Sequence, residues 1–138
     1  MGKPITIPFL NELEWLTPME SQDESISHLL EEWEKVKPEL ESLYRNRDQK
    51  TTIRGMKKGI ALFLQFLFWS NDRQMSALET TPLILLDIKP VNIDERLGFI
   101  ISRPNLFHSY RQLCELMVEH EKLYAKKKVI KKAFKPKG

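Results

Sequence analysis

The run Gly59-Ile60-Ala61-Leu62-Phe63-Leu64-Gln65-Phe66-Leu67-Phe68-Trp69 is apolar almost all the way round at any period, so no face of it can lie in water. A segment of this kind either crosses a membrane or runs through a soluble core. A spanning helix needs roughly 20 apolar residues, and this run reaches about half of that before Lys57-Lys58 on one side and Ser70-Asn71-Asp72-Arg73 on the other. The expectation is a buried helix, Ile53–Trp69, that the other helices wrap. Gln65, alone in the run, needs a hydrogen-bond partner once buried. Gly55 and Gly59 each cost roughly 1 kcal/mol of helix propensity relative to alanine, which predicts close backbone approach by a neighbouring helix.

The flanking segments have less extreme patterns. Pro4 and Pro8, with Ile5, Ile7, Phe9 and Leu10 around them, predict an extended N-terminal arm whose apolar residues lie on the core. Asn11 to Leu16 is short enough for one helical turn. Ser21-Gln22-Asp23-Glu24 has the spacing of a capping box. After it Ile26, Leu29, Leu30, Trp33, Val36, Leu40, Leu43 and Tyr44 recur at threes and fours, the stripe of an amphipathic helix. Pro38 keeps the phase but predicts a kink or short break. The Leu83–Leu86 run after Thr81-Pro82 fits a short helix or a strand. Asn92-Ile93-Asp94-Glu95 predicts a capped helix ending at Pro104. A last helix begins near Phe107 or His108.

The 138 residues suffice for one domain with one core. The formal net charge is +3, but eight lysines and no acid follow from Lys122 onward, so the preceding body sums to −5. The expected division is a helical domain, residues 1–125, and a basic tail, residues 126–138. That tail is either an amphipathic helical extension or frayed. Cys114, the single cysteine, has no internal disulfide partner, and the chain opens without an apolar stretch of signal-peptide length, so a cytoplasmic protein is expected. Gly2 with Ile5-Thr6 formally matches a myristoylation pattern that is short and common.

Two stretches carry a resemblance. Gly59-Ile60 through Leu67-Phe68-Trp69-Ser70-Asn71, and Lys89-Pro90-Val91-Asn92-Ile93-Asp94-Glu95-Arg96-Leu97 running into Arg103-Pro104-Asn105-Leu106-Phe107-His108-Ser109-Tyr110, resemble the YpoC-like family of small proteins from Bacillus and its relatives. The resemblance covers roughly residues 55–126. It implies a helical cytoplasmic protein and supplies no catalytic residues to carry over.

Chemistry therefore has to be sought in the residues. His108, Cys114 and His120 are spaced by six, which turns each about 120° from the last on a helix, whereas helical metal pairs want spacings of three or four. The expectation is surface histidines, a core cysteine and no metal or other cofactor. Cys114 among Leu113, Leu116 and Met117 reads as packing and not as a nucleophile. Arg54, Lys57 and Lys58 are read as solvated or as meeting the acidic face of the preceding helix, against an anion site. Arg103, His108, Ser109 and Arg111 stand where Pro104 separates two helices, an arrangement for binding an anion. The competing reading is a helix cap, with Arg103 paired to Asp94, Glu95 or another acid. Lys126, Lys127, Lys128, Lys131, Lys132 and Lys135 form a candidate polyanion-binding tail.

The resulting expectation is an all-α, single-domain bundle of four to six helices around a buried central helix. Its function is read as a non-enzymatic interaction module whose tail contacts an acidic partner: nucleic acid, protein or a membrane surface. The alternative is an anion-binding or enzymatic domain built on the Arg103 cluster.

Overall fold

The computed structural model describes residues 2–133. They form four α-helices, α1 (Gln22–Asn46), α2 (Gln49–Trp69), α3 (Ile93–Ser102) and α4 (Phe107–Ala133), with three single 3-10 turns at Leu10–Glu12, Met75–Ala77 and Leu83–Leu85. No strand occurs among the described residues, and none of these helices is long and apolar enough to cross a membrane. The Leu83–Leu86 run, open between helix and strand in the sequence, is a single helical turn.

Local chemistry sets the helix ends. Ser21 accepts a hydrogen bond from the Glu24 N–H at 3.1 Å, and Asp23 and Glu24 place negative charge in the first turn of α1, where the helix dipole favours it. The helix runs through Pro38 without a break; that residue sits on its exposed side. Arg47, in the left-handed conformation at φ 57°, stops α1, and Asp48 starts α2 by accepting from the Thr51 N–H and hydroxyl. So short a link makes α1 and α2 antiparallel neighbours. Asn92 corrects an expectation. It has φ 57° and its side chain makes no capping bond, so α3 begins without the box that its sequence spells.

The α2 helix packs against α1 and α4, while α3 lies on α4 and the turn at Leu83–Leu85. Every residue from Gly59 to Asn71 is buried. The close approach expected at the glycines is made by side chains, not by backbone. A Cβ on Gly59 would stand 3.0 Å from Leu113 Cδ2 and 3.1 Å from Trp33 Cζ3, and one on Gly55 2.8 Å from Leu40 Cδ2.

The irregular segments are tied to α2 by two buried amides. Gln65 accepts from the Leu16 N–H at 3.1 Å and donates to the Leu16 carbonyl at 3.0 Å, which supplies the predicted partner. Asn71 does the same for Ile88, accepting and donating at 2.8 Å, and also donates to the Leu67 carbonyl. Each amide thus imitates one rung of a sheet ladder. The arm lays Ile7, Phe9 and Leu13 on the core as expected. Lys57 secures it from below: its ammonium lies 2.9 Å from Glu12 and 5.2 Å from the Phe9 ring centroid. Lys57 therefore serves the arm and not the acidic face of α1.

Candidate functional site

At the α3–α4 junction the four residues singled out in the sequence separate. Ser109 is fully buried; its hydroxyl donates to the Arg103 carbonyl at 2.6 Å and its N–H to the Leu106 carbonyl at 3.0 Å, which is the work of a helix start. His108 is exposed, 3.1 Å from the Gln112 amide nitrogen and edge-on to Phe99 at 5.6 Å. Arg103 does not pair with Asp94 or Glu95; its guanidinium lies over the same Phe99 ring, 5.5 Å from the centroid. The bidentate carboxylate contact belongs instead to Arg96, which joins α3 to Glu119 on α4. Arg111 is exposed and enters none of these contacts. Phe99 thus gathers Arg103 and His108, while the Ser109 hydroxyl is spent inside the fold.

The second candidate is the lysine-rich end of α4. The helix crosses residue 125 without a break and continues to Ala133. Lys127 turns back onto the body, donating to the Ser70 carbonyl and standing 3.2 Å from Asp72. Lys128 lies 3.6 Å from Asp23 and 5.2 Å from the Tyr124 ring centroid. A hydrogen bond from the Tyr124 hydroxyl, aided by Lys128, holds Asp23 below the usual carboxylate range. Burial works against ionisation of Asp72, yet hydrogen bonds from Lys127 and Gln22 keep it low as well. Lys126, Lys131 and Lys132 are exposed, as are Val129 and Ile130 beside them. Lys135 lies outside the described residues.

His120 overturns its expectation as a surface residue. It is fully buried, edge-on to Phe66 at 4.6 Å, with Nε2 2.7 Å from the Ser70 hydroxyl. That hydroxyl donates to the Leu67 carbonyl, so its lone pair is left to accept from an Nε2–H, and Nδ1 has no partner. Burial first, and then Lys127, push the imidazole down to about 4. Cys114 is half-buried, and burial pushes its thiol up, the opposite of an activated nucleophile. Among the described residues no three His, Cys, Asp or Glu side chains are grouped to hold a metal ion.

The third feature has no sequence motif at all. A cleft of 450 Å³ opens between residues 15–20, the start of α1, the end of α2 and the turn at Met75–Ala77. Trp15, Met19, Trp69, Arg73 and Met75 line it. They come from two stretches about fifty residues apart, 15–19 and 69–75, so only the fold unites them; the one hint was a tryptophan and a methionine bracketing Thr17-Pro18.

Comparison with known proteins yields a family and no structural relative. No solved structure matches. The chain is 30% identical over 125 residues to the uncharacterized protein YpoC of Bacillus subtilis (strain 168), an alignment that covers 89% of this chain and 76% of that one. The family model described as YpoC-like protein matches residues 23–132, from the first turn of α1 almost to the end of α4 and well beyond the stretches that first suggested it. The chain belongs to the YpoC-like family.

Proposed function

We propose that this protein is a non-enzymatic interaction module and that the lysine-rich end of α4 is the surface that meets an acidic partner. The observation that carries this reading is the unbroken course of α4 to Ala133, with Lys126, Lys131 and Lys132 exposed and no acid after Glu121. A helix of this kind presents a fixed comb of point charges to a polyanion. Lysine has no planar fork to read base edges, so recognition is of charge and not of sequence. Lys127 and Lys128 are partly committed to the body through Asp72 and Asp23, which leaves Lys126, Lys131 and Lys132 as the principal contacts. The cytoplasm is the setting that the family resemblance implies.

The test is binding to duplex DNA, single-stranded RNA and anionic vesicles across a salt series. Removing residues after Ala125 would also remove the Lys127 bonds to Ser70 and Asp72. The sharper variant is therefore Lys126→Gln with Lys131→Gln and Lys132→Gln. On duplex DNA its slope of log K against log salt should be shallower by up to about 2.7, at roughly 0.9 for each phosphate that is no longer neutralised. If the triple variant binds all three polyanions as tightly as the parent chain, the lysines are a solubilising end and the proposal fails.

A further inference from the structure

The cleft between residues 15–20 and the turn at Met75–Ala77 is distinguished by what remains free inside it. Its polar lining is largely occupied. Gln22 donates to the Trp69 carbonyl and, at 2.7 Å, to Asp72. Asp72 also holds Lys127. Gln65 is paired on both its oxygen and its nitrogen with the backbone of Leu16, and the Ser25 hydroxyl accepts from the Met19 N–H while donating to the Ser21 carbonyl. These bonds fix the walls, so they are not offered to a ligand.

What is offered is apolar and polarisable. Two of the three tryptophans of the chain, Trp15 and Trp69, and two of its five methionines, Met19 and Met75, line one cleft. Trp15 and Met19 are 37% and 48% exposed, so they stand at the mouth, while Trp69 is 8% exposed. Indole faces and thioether sulfurs favour flat π systems, through offset or edge contacts and through sulfur–ring contacts. The volume of 450 Å³ falls within the range of about 300–1,000 Å³ usual for small-molecule sites. Arg73 is the one cation that lines the cleft, and it is exposed and joins none of the ion pairs among the described residues. Its guanidinium is suited to gripping a carboxylate or sulfonate with two parallel bonds. Glu20, on the same lining, weighs against a second negative charge on the ligand.

We propose that this cleft is a binding site for a planar aromatic small molecule bearing a single acidic group, with the ring held by Trp15, Trp69, Met19 and Met75 and the acid by Arg73. The site is independent of the lysine comb of α4, so each stands or falls by its own experiment.

The probes are anilinonaphthalene sulfonate, an aromatic monoanion built on a planar naphthalene, and its uncharged parent phenylnaphthylamine, titrated into the full chain well below its melting temperature. Probe emission and calorimetry should both give saturable binding at one equivalent. Arg73→Ala, an exposed position, should weaken the sulfonate at least about tenfold, since it removes both charge-assisted hydrogen bonds, and leave the uncharged probe unchanged. Trp15→Ala should weaken both probes. The melting curve of each variant shows whether it remains folded, and Arg73→Ala carries the test if Trp15→Ala does not. Emission that rises without saturation would overturn the proposal. So would equal affinity of the charged and uncharged probes, or sulfonate binding unchanged by Arg73→Ala.

Discussion

His120 shows how much a single side chain can carry that its neighbours in sequence do not announce. In the sequence it follows Glu119 and precedes Glu121, which reads as a solvated face; on the helix it points between Phe63 and Phe66 and onto Ser70. The rotational phase was there to be read, since His120 falls three residues after Met117 and four before Tyr124, on the stripe that Leu113 begins; what its charged neighbours conceal is that a polar residue occupies that stripe. The energetic consequence has a definite sign. The imidazole titrates at about 4 in the folded protein against an ordinary value of 6.5, so the unfolded chain takes up the proton first. Its contribution is complete above pH 6.5, is lost as pH falls from 6.5 toward 4, and does not change further below that. The loss amounts to about 3 kcal/mol. Glu121, pushed up by burial and by Glu34, acts with the opposite sign above 4.5, and the lowered Asp23, Asp72 and Glu119 act mainly below about pH 4.5. The comparison that isolates His120 is therefore urea unfolding of the parent chain and of His120→Gln between about pH 4.5 and 7. The parent should lose stability steeply toward acid and the variant should lose much less. Parallel pH profiles would show that the buried imidazole is not the group responsible.

At the scale of elements, most of what the sequence spelled was written, for local reasons. The Ser21 cap, the apolar stripe of α1 and the burial of Gly59–Trp69 all follow from spacing alone, since each needs only the neighbours within a few turns. The box at Asn92 failed because that residue takes the left-handed conformation, which asparagine enters more readily than most residues, and its side chain makes no capping bond. The helical glycines bring out the same contrast in energies. Gly98 in α3 has no atom within 4 Å of where a Cβ would stand, so Gly98→Ala should gain helix propensity and stabilise the protein by up to about 1 kcal/mol. Gly59 has the rigid ring of buried Trp33 on one side and Leu113 on the other, both closer than ordinary contact. Gly59→Ala should lose more to overpacking than it gains, for a net cost of about 1 kcal/mol or more. Thermal melts of the two variants decide the matter. If Gly59→Ala is as stabilising as Gly98→Ala, the α1–α2–α4 contact is looser than its distances indicate.

The molecule as a whole is held together by residues that join what the sequence leaves separate. Residues 72–90 were the least legible part of the 72–92 segment, with no period to read, because single turns do not repeat and their geometry is set from outside. The outside agent is the Asn71 amide, two residues past the end of α2 and seventeen positions away from Ile88. Once pinned, the segment delivers Leu78, Leu83 and Leu86 into the same core that α1, α2 and α4 build, each no more than 3% exposed. The consequence is that this irregular segment should not melt by itself. Asn71→Leu keeps the branched shape, with bulkier methyl ends, but removes the bond to the Leu67 carbonyl and both bonds to Ile88, and leaves the part-buried N–H and carbonyl of Ile88 without those partners, at about 2–4 kcal/mol for the pair. The control is Glu32→Ala on the outer side of α1, where a surface change should stay within about 0.5 kcal/mol. Circular dichroism reports the helices, and tryptophan emission reports the cleft wall through Trp15 and Trp69 alongside the core through Trp33. Because the 72–92 segment shares its core with the helices, both signals of Asn71→Leu should fall together in one transition at a lowered midpoint. An early tryptophan transition followed by an unchanged helical one would mean that the segment is a separately melting flap, and that the cleft it borders opens well before the fold is lost.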